Sequence, residues 1–92
     1  MDSAFKALAD PTRREILKLL RQGPQTSGGI AQHFDTAWPT VSRHLGVLRD
    51  AGLILSERQG QQVIYELNTT VLDDVVGQLL AWVRPERGRR HA

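Results

Sequence analysis

The stretch that decides the fold of this chain is residues 38–52, which read WPTVSRHLGVLRDAG. Pro39 suits the first turn of a helix, because its missing N–H has no intrahelical partner there. Gly52 can adopt the left-handed conformation that ends a helix. Between these two residues, apolar side chains recur at i, i+4 and i+7, at Val41, Leu45 and Leu48. That spacing predicts one helix with one buried stripe.

The rest of this helix carries small and hydrogen-bonding residues. They are Thr40, Ser42, Arg43, Gly46 and Val47, with His44 at the edge of the apolar stripe. A helix that is apolar behind and polar in front fits the major groove of DNA. An ordinary amphipathic surface helix has the same pattern, so this stretch alone leaves both interpretations open.

Composition and length narrow the class of protein. Ninety-two residues make one domain with a modest core. No run approaches the roughly 18 apolar residues of a membrane span, and the first residues resemble no secretory signal. We therefore expect a cytoplasmic protein without membrane insertion. The sequence has no cysteine, which excludes disulfides and thiolate metal sites.

The net charge of +2 comes from the end of the chain. The last nine residues hold four of the 12 basic residues and one of the 10 acidic ones, so the first 83 carry 8 basic and 9 acidic residues. Overall basicity therefore says little about the folded body. We expect residues 84–92 to form a disordered, solubilising tail; non-specific phosphate contact and a cloning remnant are the alternatives.

Three shorter helices are predicted before residue 38. The first spans about residues 2–9, and the second spans residues 12–22, with Asp10 as its N-cap and Pro11 at its first position. The basic residues of the second helix are expected on a solvated face, with a phosphate contact by one of them as the alternative. The third helix is short, and its N-cap is one of two hydroxyl residues, Thr26 or Ser27.

A β-hairpin is predicted after Gly52. Residues 53–58 and 63–67 read as two strands joined by the polar turn 59–62. A lone hairpin is unstable in water, so it must pack on the helices. The third and fourth helices with this hairpin make a mainly α (α+β) winged helix-turn-helix over residues 1–83, with four helices, two strands and a fifth helix in that order.

The last helix, from about residue 69 to Val83, is apolar over half its circumference, well beyond one buried stripe. A domain this small can hardly cover that arc, so we expect a two-fold dimer through the first and last helices; burial in its own domain is the alternative. The predicted interface residues are Phe5, Leu8, Val71, Leu72, Val75, Val76, Leu79, Leu80, Trp82 and Val83.

Three ordered blocks resemble the ArsR/SmtB family of repressors. They are residues 9–17 (ADPTRREIL), residues 39–54 (PTVSRHLGVLRDAGLI) and residues 58–65 (RQGQQVIY), and the resemblance spans roughly residues 3–83. It implies a homodimeric winged helix-turn-helix that represses transcription from an inverted-repeat operator in double-stranded DNA. The groove-reading interpretation of residues 38–52 is thereby favoured, while a protein-interaction module that uses the last helix remains the competing hypothesis.

The resemblance also implies which residues contact DNA. The base-facing positions fall on Trp38, Thr40, Ser42, Arg43 and His44, and the wing positions fall on Arg58, Gln59, Gly60, Gln61 and Gln62. Arg43 can bind guanine in a bidentate manner, which is worth about 1–3 kcal/mol of discrimination. Thr26 and Ser27, at a helix start, suit a phosphate. Three roles stay open, since Arg49 can contact phosphate or a neighbouring carboxylate, and His44 and Trp38 can pack or contact DNA.

No metal or other cofactor is expected. Metal-responsive members of the family use cysteines or a last helix with histidines, and neither occurs here. His33, His44 and His91 lie in separate elements, and Asp73 and Asp74 lack nitrogen partners for a transition metal. The chain resembles the metal-independent branch, in which autoregulation or a protein effector replaces the ion. Ser42 and His44 point in different directions on one helix, so a hydrolytic enzyme is excluded.

Overall fold

Five helices and three strands make up residues 2–84, the part of the chain that the computed structural model describes. In chain order they are α1 (Asp2–Leu8), α2 (Pro11–Leu20), β1 (Gln25–Thr26), α3 (Ser27–Ala31), α4 (Trp38–Asp50), β2 (Ile54–Gln59), β3 (Gln62–Leu67) and α5 (Thr69–Val83). The predicted winged helix-turn-helix is confirmed. The predicted tail lies outside the described residues, apart from Arg84.

The sheet has one strand more than the sequence predicted. Its order is β1-β3-β2, and all pairs are antiparallel. β1 consists of two residues, Gln25 and Thr26, whose register places them opposite Tyr65 and Ile64 of β3. A segment this short shows no alternation of apolar and polar residues, so no sequence pattern could reveal it. Its consequence is that the start of α3 is joined to the wing.

The hairpin turn is tighter than the predicted turn 59–62. Gln59 pairs with Gln62, which leaves only Gly60 and Gln61 between the strands. Gly60 has φ +63°, whereas Gln61 has a negative φ. This pattern matches a type II′ turn, in which glycine takes the first central position. The turn therefore carries the strands out to a narrow polar tip.

The core surrounds α4. Its buried apolar residues come from both ends of the chain and from the sheet, and they are Ala4, Ala7, Ile16, Leu17, Leu20, Ile30, Val41, Leu45, Leu48, Leu53, Ile54 and Val75. The predicted stripe of Val41, Leu45 and Leu48 is fully enclosed. This burial fixes the face that α4 turns to solvent.

Gly52 ends α4 as the sequence predicted. The Leu53 N–H donates to the Leu48 carbonyl at 3.0 Å, and the Gly52 N–H donates to the Arg49 carbonyl at 2.9 Å. These two bonds, with φ +79° at Gly52, form a Schellman motif. The chain thereby leaves the helix in the direction of β2.

Two predicted N-caps hold the helices that lead to α4. The Asp10 carboxylate accepts a hydrogen bond from the Arg13 N–H at 3.0 Å, and Thr26 Oγ1 accepts one from the Gly29 N–H at 3.0 Å. The backbone bond from Arg13, with the nearby Arg13 charge, lowers the pKa of the Asp10 carboxyl below its ordinary value of 3.8. Thr26 is thus the cap that the sequence left open between two residues.

Arg13 and Arg14 were expected on a solvated face, but their guanidinium groups cap the end of α1. Arg13 donates from Nε to the Ala7 carbonyl at 2.8 Å and from Nη2 to the Lys6 carbonyl at 3.0 Å. Arg14 donates from Nη1 to the Leu8 carbonyl at 2.8 Å. The last carbonyls of a helix have no partner within the helix, and a cation there is also favoured by the helix dipole.

Candidate nucleic-acid interface

The solvent-facing side of α4 is a polar stripe opposite the buried one. Pro39, Ser42, Arg43 and Arg49 are exposed, and Gly46 between them is half-buried. Their spacing of three and four residues keeps them on one side of the helix. Thr40 is half-buried beside this stripe. The structure therefore brings Thr40, Ser42 and Arg43 together as predicted, with an arginine as the only long charged side chain among these three.

His44 does not belong to this stripe. It is only 9% exposed, and its Nδ1 lies 3.3 Å from Arg13 Nη1. A ring turned toward α2 cannot also face the bases, so the prediction of a base-facing His44 is corrected. Of the two roles that the sequence left open, the structure favours packing.

Trp38 is the first residue of α4 and remains 44% exposed. The residue before it, Ala37, offers no side-chain cap to the helix. The indole is accessible beside the exposed stripe. Its predicted contact with a base or a sugar therefore remains a proposal.

The predicted wing residues stand at the hairpin tip. All five are exposed, and they are Arg58, Gln59, Gly60, Gln61 and Gln62. The tip carries one cation and three amides, with no apolar side chain. Such a tip suits contacts with sugar and phosphate oxygens better than protein packing.

Thr26 and Ser27 have protein partners already. Thr26 caps α3, and Ser27 Oγ donates to the Val63 carbonyl at a long 3.5 Å. A phosphate contact by either hydroxyl would have to share these groups. Their phosphate role therefore has less support than that of the wing.

Arg49 forms the neighbouring ion pair that was one of its two predicted roles. Its Nε lies 3.7 Å from Asp50 Oδ1, and both side chains are more than half exposed. An exposed pair between adjacent residues is worth little free energy. Arg49 can therefore exchange Asp50 for a phosphate.

A second surface lies on α5, and one of its predicted members is wrong. Val75 is fully buried in the core of its own protomer, so it cannot take part in an interface between copies. Four of the predicted residues are half-buried against the core, namely Phe5, Leu8, Val71 and Leu72. The other five are exposed and form what we call the α5 patch, namely Val76, Leu79, Leu80, Trp82 and Val83.

The α5 patch continues onto α1. The rings of Phe5 and Trp82 lie 5.1 Å apart with an interplanar angle of 53°. Trp82 is nonetheless 68% exposed, so this contact leaves most of the indole uncovered. Clusters of exposed apolar side chains are typical of interaction sites.

Among residues 2–84, no group of three or more histidine, cysteine, aspartate or glutamate side chains is placed to hold a metal ion. His33 and His44 lie in different parts of the fold, as the sequence indicated. Within the same residues, no helix is long and apolar enough to cross a membrane.

Comparison with known proteins identifies the family. The family model described as "Bacterial regulatory protein, arsR family" matches residues 10–56, which include α4 and the helix-turn-helix. The chain belongs to the ArsR family. The family consists of transcriptional regulators, so the predictions of a DNA-binding transcription regulator and of a chain that is not an enzyme are confirmed.

Curated ArsR-family relatives match almost the whole chain. The transcriptional repressor SdpR of Bacillus subtilis is 47% identical over 83 residues, which cover 90% of this chain and 92% of SdpR. The arsenical resistance operon repressor of Staphylococcus aureus is 34% identical over 79 residues, covering 86% and 76%. That these relatives are repressors supports the prediction of a DNA-binding repressor.

Solved structures agree with this fold over the same length. The structure titled "Possible transcriptional regulator for arsenical resistance" aligns with a TM-score of 0.83 at 31% identity, over 97% of this chain and 92% of the other. The ArsR-family regulator RHA00566 aligns with a TM-score of 0.72 at 34% identity, over 91% and 92%.

Proposed function

We propose that this ArsR-family protein is a homodimeric repressor, or autorepressor, that binds an inverted-repeat operator through residues 38–52 and the wing 58–62. One observation carries the proposal. The apolar stripe and His44 are buried on one side of α4, so Ser42 and Arg43 face the solvent. A helix that presents an arginine between small polar residues matches the dimensions and the donor–acceptor pattern of a major groove.

We assign base contacts and backbone contacts to different residues of α4 and the wing. Arg43 reads guanine, and Thr40, Ser42 and Trp38 contact bases or sugars at the start of α4. Arg49 and the wing residues from Arg58 to Gln62 bind phosphate and sugar, which fixes the register of the helix without reading sequence. Few cations take part, so specificity rests on the exposed stripe rather than on net charge.

The α5 patch supports a dimer. It exposes five apolar residues that the protomer does not cover, and Phe5 extends it onto α1. A second copy placed by a two-fold axis would cover this surface and set two α4 helices side by side. We therefore expect half-sites with inverted symmetry, about 34–36 Å apart.

We also propose that regulation does not use a metal ion. The sequence lacks cysteine, and α5 carries no histidine. Its acidic pair, Asp73 and Asp74, has oxygen donors only, which transition metals bind poorly without nitrogen or sulfur. Autoregulation or a protein effector then controls occupancy of the operator.

Selection of bound duplexes from random DNA, with the mass of the free protein measured in solution, tests the proposal. A dimer that selects one inverted repeat supports it. Fluorescence anisotropy on the selected duplex then compares Arg43→Ala with Arg21→Ala, which removes another exposed cation, at the end of α2. Arg43→Ala should lose affinity and relax the preference at one position of each half-site, whereas Arg21→Ala should keep both. Full affinity and base preference in Arg43→Ala would contradict the assignment of α4.

The same α5 patch favours a second candidate, a winged-helix module that binds another protein. Selection separates the two candidates, because such a module would enrich no DNA sequence. A monomer in solution with no DNA preference would favour this alternative.

A further inference from the structure

One guanidinium group joins three helices of this protein. Arg13 belongs to α2, its Nε and Nη2 bind the last carbonyls of α1, and its Nη1 lies 3.3 Å from His44 Nδ1 in α4. Its own backbone N–H is held by Asp10. A planar group with five donors in fixed directions can make the three side-chain contacts at once, which a lysine cannot do.

The chemistry of the two side chains fixes the direction of the bond to α4. A guanidinium has donors only, so His44 Nδ1 accepts and the ring proton lies on Nε2. Residues 2–84 contain no buried side-chain nitrogen or oxygen without a partner. The contact is therefore a satisfied link. Removal of Arg13 would take this donor from the imidazole nitrogen and from the Ala7 carbonyl, whereas the Lys6 carbonyl would keep the Ala9 N–H at 3.2 Å.

His44 directly follows Arg43, which the proposed function assigns to base reading. The two residues point in different directions from one helix. The rotation of α4 about its axis that places His44 against Arg13 therefore also sets the direction in which the Arg43 side chain points. A rotation of about 10° moves a group at the outer radius of ~5–6 Å by about 1 Å. Sites of recognition tolerate errors of only about 0.5 Å.

We propose that Arg13 is a positioning residue for DNA recognition, which it performs through His44 without touching DNA. It fixes the rotation of α4 relative to α1, the helix whose Phe5 continues the α5 patch. This inference rests on the proposed function, since it concerns how well that function discriminates between sequences. Its signature is a loss of discrimination, while non-specific binding and the fold remain.

Arg14 provides the matched control. It also donates from Nη1 to an α1 carbonyl, that of Leu8 at 2.8 Å, but it makes no bond to α4. Arg13→Gln and Arg14→Gln therefore remove the same charge, and each removes a cap from the same helix end. Only Arg13→Gln also breaks the link to His44.

His44 provides a second pair of variants. In His44→Asn, the side-chain oxygen is attached at the same position along the side chain as Nδ1, so it can accept from Arg13. His44→Leu introduces an apolar side chain of similar size that has no acceptor. Rescue by asparagine relative to leucine would show that the hydrogen bond matters, rather than the packing of a ring.

The experiment measures anisotropy of each variant on the duplex selected by the wild type and on a scrambled duplex of equal composition. We expect Arg13→Gln and His44→Leu to lower the ratio of specific to scrambled affinity about tenfold, the value of one hydrogen bond to a charged group. Arg14→Gln should keep the wild-type ratio, and His44→Asn should restore most of it. The double variant Arg13→Gln/His44→Leu should lose no more than either single one.

Amide hydrogen exchange supplies a readout that needs no DNA. Arg13→Gln should accelerate exchange in α4, and Arg14→Gln should affect α1 alone. An unchanged affinity ratio in Arg13→Gln, or strictly additive effects in the double variant, would overturn the inference while the proposed function stands. A wild-type protein without any sequence preference would overturn both.

Discussion

The ring centroids of Phe5 and Trp82 lie 5.1 Å apart, and this contact joins α1 to α5. Phe5 is half-buried, whereas Trp82 keeps 68% of its surface exposed. The pair therefore belongs to the edge of the core, and it is also the bridge by which the α5 patch reaches α1. Substitutions in the exposed α5 patch should therefore change assembly, whereas substitutions in the core should change the stability of the protomer.

A charge within the α5 patch should prevent dimerisation. Leu80 is 38% exposed in the protomer, so Leu80→Glu adds little strain to the fold but would bury a carboxylate between two copies. We expect a folded monomer with greatly weakened operator binding, measured by sedimentation and anisotropy. Gln78→Glu, which adds the same charge to an exposed polar position of α5, should stay dimeric. A dimeric Leu80→Glu protein would place the interface elsewhere.

Truncation of two adjacent valines of α5 should affect two different properties, namely protomer stability at Val75 and dimerisation at Val76. Val75 is fully buried, so Val75→Ala should lower the free energy of unfolding by about 2 kcal/mol through lost burial and a cavity. Val76 is 43% exposed, so Val76→Ala should leave protomer stability nearly unchanged and weaken the dimer. Urea unfolding at several protein concentrations distinguishes the two effects. Equal loss of concentration-independent stability in both variants would contradict the assigned faces.

Gly46→Ala should stabilise the fold. A Cβ at position 46 would meet nothing within 4 Å, and glycine inside a helix is less favourable than alanine by about 1 kcal/mol. Thermal unfolding should therefore occur at a higher temperature. Gly52→Ala is the contrasting variant, since its Cβ would have only ordinary contact with Val71 but its φ of +79° disfavours a side chain. It should unfold at a lower temperature, and the reverse order would refute the backbone argument.

Acid should remove the contribution of the Asp10 cap. The hydrogen bond from the Arg13 N–H lowers the pKa of Asp10 below 3.8, so the folded state favours the ionised carboxyl. This stabilisation is fully present above the unfolded pKa and is lost as the pH falls through the lower folded value. Urea unfolding between pH 7 and pH 3 should show a steeper loss for the wild type than for Asp10→Asn, which keeps a capping oxygen that does not titrate. Parallel pH profiles would contradict the role of this carboxylate.

Helices with a periodic apolar stripe could be predicted from the sequence, whereas contacts between elements that are distant in the chain could not. The stripe of Val41, Leu45 and Leu48 and the end of α4 at Gly52 follow from local rules, so the exposed stripe was found as well. In the sequence, Arg13 resembles any other surface cation, because no sequence pattern predicts that its donors contact α1 and His44. Val75 shares the apolar arc of α5 with its neighbours, and only the packed core decides which of them it encloses.

The capping of α1 has a consequence for the order in which the chain gains structure. α1 has only 7 residues, too few to persist as an isolated helix in water. Arg13 donates to two of its terminal carbonyls, and Nη1 of the same guanidinium lies beside His44, 31 positions further along the chain. α1 precedes α4 in the chain and leaves the ribosome before it, yet we expect its helix to become stable only after α4 has been synthesised and docked. The residues of α1 are thus synthesised well before the contacts that order them.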